Sequence, residues 1–177
     1  MSDTTDAMNQ VIQSAADKEG KYLTFQLAEE EYGIGIMKIK EIIGMMPITS
    51  VPRTPDFIKG VVNLRGKVIP VTDLRLKLGM DEVEVTDRTC IIVTEIQGKT
   101  TSAQMGIVVD AVCEVLNVKA EEVADTPEFG TTIDTAYILG IAKMDDGGVK
   151  ILLDIDRILS PEELRHIEQV EKDEQAV

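Results

Sequence analysis

Tyr32-Gly-Ile-Gly-Ile-Met-Lys-Ile-Lys-Glu-Ile-Ile43 aligns without a gap on Met105-Gly-Ile-Val-Val-Asp-Ala-Val-Cys-Glu-Val-Leu116. The Gly-Ile pair and the Glu coincide. Ile36, Ile39, Ile42 and Ile43 fall on Val109, Val112, Val115 and Leu116. Further on, Phe57-Ile-Lys-Gly60 matches Tyr137-Ile-Leu-Gly140, and each block leads through a Gly hairpin to a strand ending Asp73-Leu74 or Asp154-Ile155. Aliphatic matches arise easily by chance, but two blocks in the same order at nearly constant spacing predict a duplicated unit. A copy of about seventy residues makes a marginal core alone and a better one against its twin.

Outward from the repeat, the chain reads as β. Tyr22-Leu-Thr-Phe-Gln-Leu27 alternates at period two, and Cys90-Ile-Ile-Val-Thr-Glu-Ile96 is short and β-branched. Val68-Ile-Pro-Val-Thr-Asp-Leu74 and Val149-Lys-Ile-Leu-Leu-Asp-Ile155 are two further strands. Pro70 lacks an N–H, which predicts an edge position or a bulge for its strand. Arg65-Gly66-Lys67 and Asp146-Gly147-Gly148 supply the positive-φ residues of tight hairpins. Inside each repeat the alternation gives way to spacings of three and four (Ile36, Ile39, Ile43; Val109, Val112, Leu116), which predicts a strand running into a short helical turn. Short strands punctuated by turns point to small barrels. Two related β-lobes are expected, about 21–88 and 89–159, with an exchange of terminal strands left open. Residues 1–20 form an acidic tail. Residues 160–177 open with Ser160-Pro161-Glu162-Glu163, a helix start by N-cap, first-turn Pro and capping box, and Leu164 and Ile167 give that helix an apolar stripe.

Composition narrows the function. Of 177 residues, 44% are hydrophobic and 28% charged, a globular profile. A net charge of −14 argues against a nucleic-acid backbone binder, and three Phe, three Tyr and no Trp argue against a stacking platform. No apolar run reaches the ~18 residues of a membrane span, and no signal peptide is visible, so a cytoplasmic location is expected. Cys90 and Cys113 fit no CxxC pattern, and the single His166 lies among charged neighbours. Residues 38–77 hold eight Lys/Arg against three Asp/Glu, and residues 78–146 hold four against fourteen. That split suits a protein whose two ends meet different partners.

Catalytic motifs fail one by one. Gly60-Val-Val-Asn-Leu-Arg-Gly66-Lys67 has five residues between its glycines where a P-loop needs four, and Val68 replaces the magnesium-binding Ser/Thr. No GxSxG, HExxH or dinucleotide fingerprint is present. Asp145-Asp146 runs into two glycines rather than a ladder of oxygen ligands. No enzyme, metal or cofactor is expected, and a binding module remains. Met45-Met46 beside Pro47 fits either an adaptable contact surface or core filling.

The run Val51-Pro-Arg-Thr-Pro-Asp-Phe-Ile-Lys-Gly-Val-Val-Asn-Leu-Arg-Gly-Lys-Val-Ile-Pro-Val-Thr-Asp-Leu-Arg75 closely resembles the CheW family of bacterial chemotaxis coupling proteins. So do Glu31-Tyr32-Gly33-Ile34, Ile39-Lys40-Glu41-Ile42, Val108-Val109-Asp110 and Pro127-Glu128-Phe129. The resemblance implies two packed five-stranded SH3-like barrels. It implies a non-catalytic scaffold that links the cytoplasmic tips of transmembrane chemoreceptors to the histidine kinase CheA, recruited to receptor arrays. On matching positions it implies a receptor-facing surface at Ile39, Glu41, Arg65 and Val112, and a kinase-facing surface at Ile48, Gly60 and Phe129. Family members with a basic residue a few positions before Phe129 differ from this chain, which has Ala124-Asp125 there. Two other readings stay open: an isolated kinase-regulatory domain of the same fold, and a β-barrel sensing a small ligand, which would need a sizeable internal pocket.

Overall fold

The computed structural model describes residues 18–97, 102–125 and 137–158. Phe129, most of the N-terminal tail and the C-terminal helix expected from Ser160 lie outside the described residues.

Among the described residues eleven strands build two sheets. In chain order they are β1 (Gly20–Leu27), β2 (Glu30–Gly35), β3 (Ile39–Gly44), β4 (Ile58–Leu64), β5 (Lys67–Asp73), β6 (Cys90–Gln97), β7 (Ser102–Val109), β8 (Ala111–Val118), β9 (Val123–Ala124), β10 (Ile138–Lys143) and β11 (Val149–Leu153). One-turn helices α1 (Leu74–Lys77) and α2 (Ile155–Ile158) follow β5 and β11. The first sheet has the order β3-β6-β7-β5-β4, and the second β8-β1-β2-β11-β10-β9. The chain therefore changes sheet twice: residues 39–109 run through the first, and the hairpin at residues 20–35 joins residues 111–153 in the second.

The two sheets repeat one plan. In each, an antiparallel hairpin (β6-β7 or β1-β2) lies beside an edge strand (β3 or β8). Its second strand pairs in parallel with β5 or β11, Val71 opposite Gly106 and Leu152 opposite Gly33. Each sheet then curls shut. After β3 the chain crosses to β4 through the Thr49–Val61 bridge, and after β8 it crosses to β10 through β9. The curl places a row of paired backbone groups along β4 and β10 that an open sheet would leave exposed.

Strict alternation sorts the side chains into three cores. Ile92 and Ile96 of β6 and Leu23, Phe25 and Leu27 of β1 face a core shared between the sheets. Ile91 and Val93 face the first barrel's interior, with Val62, Ile69 and Val71, and Tyr22 faces the second's, with Val118, Ala142 and Leu152. Both faces of these strands are buried, which is why β1 and β6 carry apolar runs beyond simple alternation. The repeated Gly-Ile pair has its cause here. Ile34 and Ile107 enter the shared core. A Cβ on Gly33 would lie 3.1 Å from Leu152 Cδ2, and one on Gly106 2.8 Å from Ile91 Cγ2. The glycines admit the side chains that fill each barrel.

Three expectations change. The strand running into a short helical turn is found in the first copy, where β2 leads into a 3-10 turn at Ile36–Lys38, but not in the second, where β7 passes through Asp110 into the strand Ala111–Val118. β-Branched residues hold that segment extended, and the spacing arises where an alternating strand turns a corner into another. Pro70 lies on β5, which is internal rather than at an edge. Its partner Val61 exchanges both backbone hydrogen bonds with Thr49 (2.8 and 2.9 Å), and the ladder to β7 begins at Val71, so no donor is needed at Pro70. The register shift in the β4–β5 ladder falls instead between Ile58 and Gly60. The charge split also moves, because β6 and β7 belong to the first sheet. Counted by sheet, residues 38–109 hold ten Lys/Arg against eight Asp/Glu, and residues 20–35 with 110–158 hold five against fourteen.

Candidate functional site: two surfaces on a paired barrel

The β4–β5 hairpin presents Arg65. Arg65 (φ 53) and Gly66 (φ 86) both take positive φ, the pattern of a type I′ turn, and Asn63 Oδ1 accepts the Gly66 N–H at 2.8 Å. A left-handed non-glycine residue at an exposed tip is a strained choice that function can explain. The Arg65 guanidinium ion-pairs with Glu41 of β3, and its side chain remains 71% exposed. Glu41 stands beside a bulge: Ile39 opposes Thr94 and Glu41 opposes Val93, so Lys40 is the extra residue that redirects the strand.

The second barrel repeats this arrangement, which accounts for the shared Glu of the sequence repeat. Glu114 lies 3.6 Å from Lys150 Nζ, which also binds Glu31 at 2.7 Å. The β8 bulge comes at the equivalent place, opposite Thr24, whose buried hydroxyl donates to Glu114 C=O (3.0 Å) and accepts the Glu114 N–H (3.1 Å). The Lys150 hydrogen bond, with one from Cys113, holds the Glu31 carboxyl below its usual range. Burial pushes the Cys113 thiol up, as does its hydrogen bond to Glu31, so the thiol is less readily ionised.

Ile39 and Val112 occupy equivalent places near the starts of the edge strands β3 and β8. Both are half-buried against the shared core. Beyond them Ile42 and Val115, again equivalent, are exposed, and Met37 on the preceding turn is 90% exposed. Val112 packs with Cys90 of the first sheet on that shared core.

Ile48 and Gly60 form a separate cluster at the other margin of the first sheet. Gly60 is buried at φ 141, and a Cβ there would stand 2.0 Å from Thr49 O, next to Ile48. Its backbone requirement and the position of Ile48 are thus one feature. A surface depression of about 390 Å³ lies here, lined by Ile48, Ser50, Asp56 and Lys59 among others. A cleft of about 50 Å³ shares Ile48 and Lys59 with it and is lined further by Met45, Arg75, Glu82 and Asp110. Met45 and Met46 pack on the first barrel's core, which is the core-filling reading. Among the described residues no group of three or more His, Cys, Asp or Glu is placed to hold a metal, and no helix is long and apolar enough to cross a membrane.

Sequence reasoning missed two carboxylates. Asp110, between β7 and β8, accepts Arg75 Nε at 2.7 Å and Nη2 at 2.5 Å, and also Ala28 N at 2.8 Å. Burial pushes the Asp110 carboxyl up, but the Arg75 hydrogen bonds, the Ala28 N–H and the Arg75 charge outweigh it and hold the group below its usual range. Asp156 of α2 accepts Lys38 Nζ at 2.6 Å and Gln97 N at 3.0 Å. Arg75 and Asp156 each stand two residues beyond the repeated strand-end aspartates, Asp73 and Asp154. The signal was present in the repeat, but with opposite charges at the matching places.

Two barrel-like sheets with filled interiors, an ion-paired edge beside an apolar strip, and a second cluster at the opposite margin define a binding module. Residues 21–163 match the family model described as the CheW-like domain, and the chain belongs to that family. It is 41% identical over 152 residues to the chemotaxis protein CheW of Klebsiella aerogenes, covering 86% of this chain and 89% of that one. It is 30% identical over 151 residues to the chemotaxis protein CheW of Treponema pallidum, covering 85% and 88%. The crystal structure of the scaffolding protein TtCheW from Thermoanaerobacter tengcongensis superposes with a TM-score of 0.71 at 38% identity, over 82% of this chain and 97% of that one.

Proposed function

We propose that the chain is a non-catalytic chemotaxis scaffold that couples the cytoplasmic tips of transmembrane chemoreceptors to the regulatory domain of the histidine kinase CheA, in the cytoplasm at receptor arrays. The observation that carries this reading is the separation of two surfaces on one frame. The receptor-facing surface comprises Ile39, Glu41, Arg65 and Val112. Half-buried aliphatic residues there take the apolar face of a receptor helix, and the Glu41–Arg65 pair fixes its register. The kinase-facing surface comprises Ile48 and the Gly60 backbone beside the depression at Ser50 and Asp56. Phe129 supplies a further kinase contact from the second lobe. Coupling then needs no chemistry, only a difference in affinity or geometry between kinase-on and kinase-off arrangements. The barrel interiors are occupied by Val62, Ile69 and Ile91 in one and Tyr22, Val118 and Leu152 in the other, which disfavours a small-ligand sensor.

The test is co-sedimentation of purified CheA with receptor-bearing membranes. The kinase should pellet in proportion to added chain and remain in the supernatant without it. Kinase that pellets equally with and without the chain would overturn the proposal.

A further inference from the structure

The two carboxylate clasps sit at the two places where the chain changes sheet. Lys38 is on the link from β2 to β3, and Asp110 is on the link from β7 to β8. Each link residue is tied to the one-turn helix that follows a barrel's parallel strand, Lys38 to Asp156 on α2 after β11 and Asp110 to Arg75 on α1 after β5. Each carboxylate also accepts a backbone N–H from the central hairpin of a barrel, Gln97 in the first and Ala28 in the second. Each clasp therefore joins the two sheets, and cation and carboxylate exchange places between them. The groups are shielded, with Arg75 and Asp110 side chains 14% and 23% exposed.

Both links lead straight into the apolar strip. Ile39 follows Lys38 directly, and Val112 stands two residues after Asp110. Gly60 is held within the first sheet, its strand neighbour Val61 bridging to Thr49; Arg75 and Asp110 line the cleft that Ile48 borders, whereas Lys38 and Asp156 do not. We propose that Arg75, Asp110, Lys38 and Asp156 are positioning residues: together they set where Ile39 and Val112 stand relative to each other, so that receptor affinity depends on both clasps while kinase affinity is independent of the Lys38–Asp156 clasp. This rests on the receptor-facing reading given above.

The experiment has two arms on the full chain. In the first, spin labels at Lys67→Cys and Val149→Cys, both exposed and on different barrels, report the inter-barrel distance in a Cys90→Ala, Cys113→Ala background. Arg75→Met and Lys38→Met should each broaden the distance distribution, and Arg75→Lys should restore most of its width. An unchanged distribution in folded Met variants would overturn the proposal whatever the partners do. In the second, titration with a receptor cytoplasmic fragment and with the CheA regulatory domain should show about fivefold or greater loss for the receptor, the lower range of ordinary coupling. For Lys38→Met the kinase should be affected by less than about twofold, within the same measure of coupling. Equal losses for both partners in Lys38→Met, or an Arg75→Lys variant no better than Arg75→Met, would also overturn it. If the unaltered chain binds neither partner, the scaffold reading fails, and the label arm still decides the clasps.

Discussion

Arg65→Glu separates a contact role for Arg65 from a structural one. In the free protein the substitution removes an ion pair with Glu41 and places two carboxylates side by side. Because Arg65 is largely exposed, the lost pair stabilises the fold by at most about 1 kcal/mol. Two like charges about 4 Å apart in water add about 1 kcal/mol of repulsion. The total of about 2 kcal/mol lowers the melting temperature by roughly 4–8 °C for a chain of this size. Binding should suffer more, since a charge left unpaired within an interface costs about 2–5 kcal/mol, and each 1.4 kcal/mol is about tenfold. Receptor affinity should therefore fall at least tenfold while kinase affinity stays near that of the unaltered chain. The exchange Glu41→Arg with Arg65→Glu restores the internal pair, so it should recover stability without recovering receptor affinity. Titration of both partners beside thermal unfolding reads all of this. Equal loss toward both partners, with a melting temperature lowered well beyond that range, would show that Arg65 is structural.

Gly60→Ala should destabilise the fold by about 1–3 kcal/mol, because the new Cβ collides with Thr49 O and the backbone there is left-handed. Kinase affinity should drop with it as Ile48 is displaced, and urea unfolding that matches the unaltered chain would refute this. Asp110→Asn should flatten the acid side of the stability profile. The carboxyl's folded pKa is depressed, so its contribution is full above the unfolded value of about 4 and is lost as pH falls through the folded one. Denaturation measured across that range should show parallel curves if Asp110 has no such role. Phe129→Ser should leave one-to-one kinase binding nearly intact but reduce array order under electron microscopy and make assembly more salt-sensitive. Unchanged arrays would refute that assignment.

The strands were legible where local pattern sufficed. Tyr22–Leu27 was read from its alternation and Cys90–Ile96 from its β-branched run, and both are rich in apolar residues because one set of side chains meets the shared core and the other a barrel interior. The Arg65-Gly66 turn was legible because few residues tolerate its backbone. The repeat also singled out Glu41 and Ile39: Glu41 pairs with Arg65 within one sheet, and Ile39 packs on the core shared by both. What escaped depends on long-range pairing. The parallel contacts of β5 with β7 and β2 with β11 leave no local mark, so neither the two sheet changes nor the charge distribution by sheet could be read in advance. Pro70 was misplaced because its freedom comes from Thr49 pairing with Val61, a contact made by a different segment. The clasps were hidden for a further reason: Arg75 matches Asp156 with the charge reversed, while Asp110 falls on Met37 and Lys38 on Ala111, so the alignment scores each as mismatch.

The central claim is that one non-catalytic chain joins receptor to kinase through separate surfaces. Its most direct measurement is CheA autophosphorylation in receptor-bearing membranes, with the chain titrated in. The account predicts kinase output that requires the chain, responds to receptor ligand, and at excess chain falls again as free chain occupies receptors and kinases separately. The single variants Arg65→Glu and Gly60→Ala should each abolish the ligand response, and mixing the two proteins should not restore it, because both surfaces must be intact on one molecule. Full ligand control in the absence of the chain, or restoration by the mixture, would contradict the account.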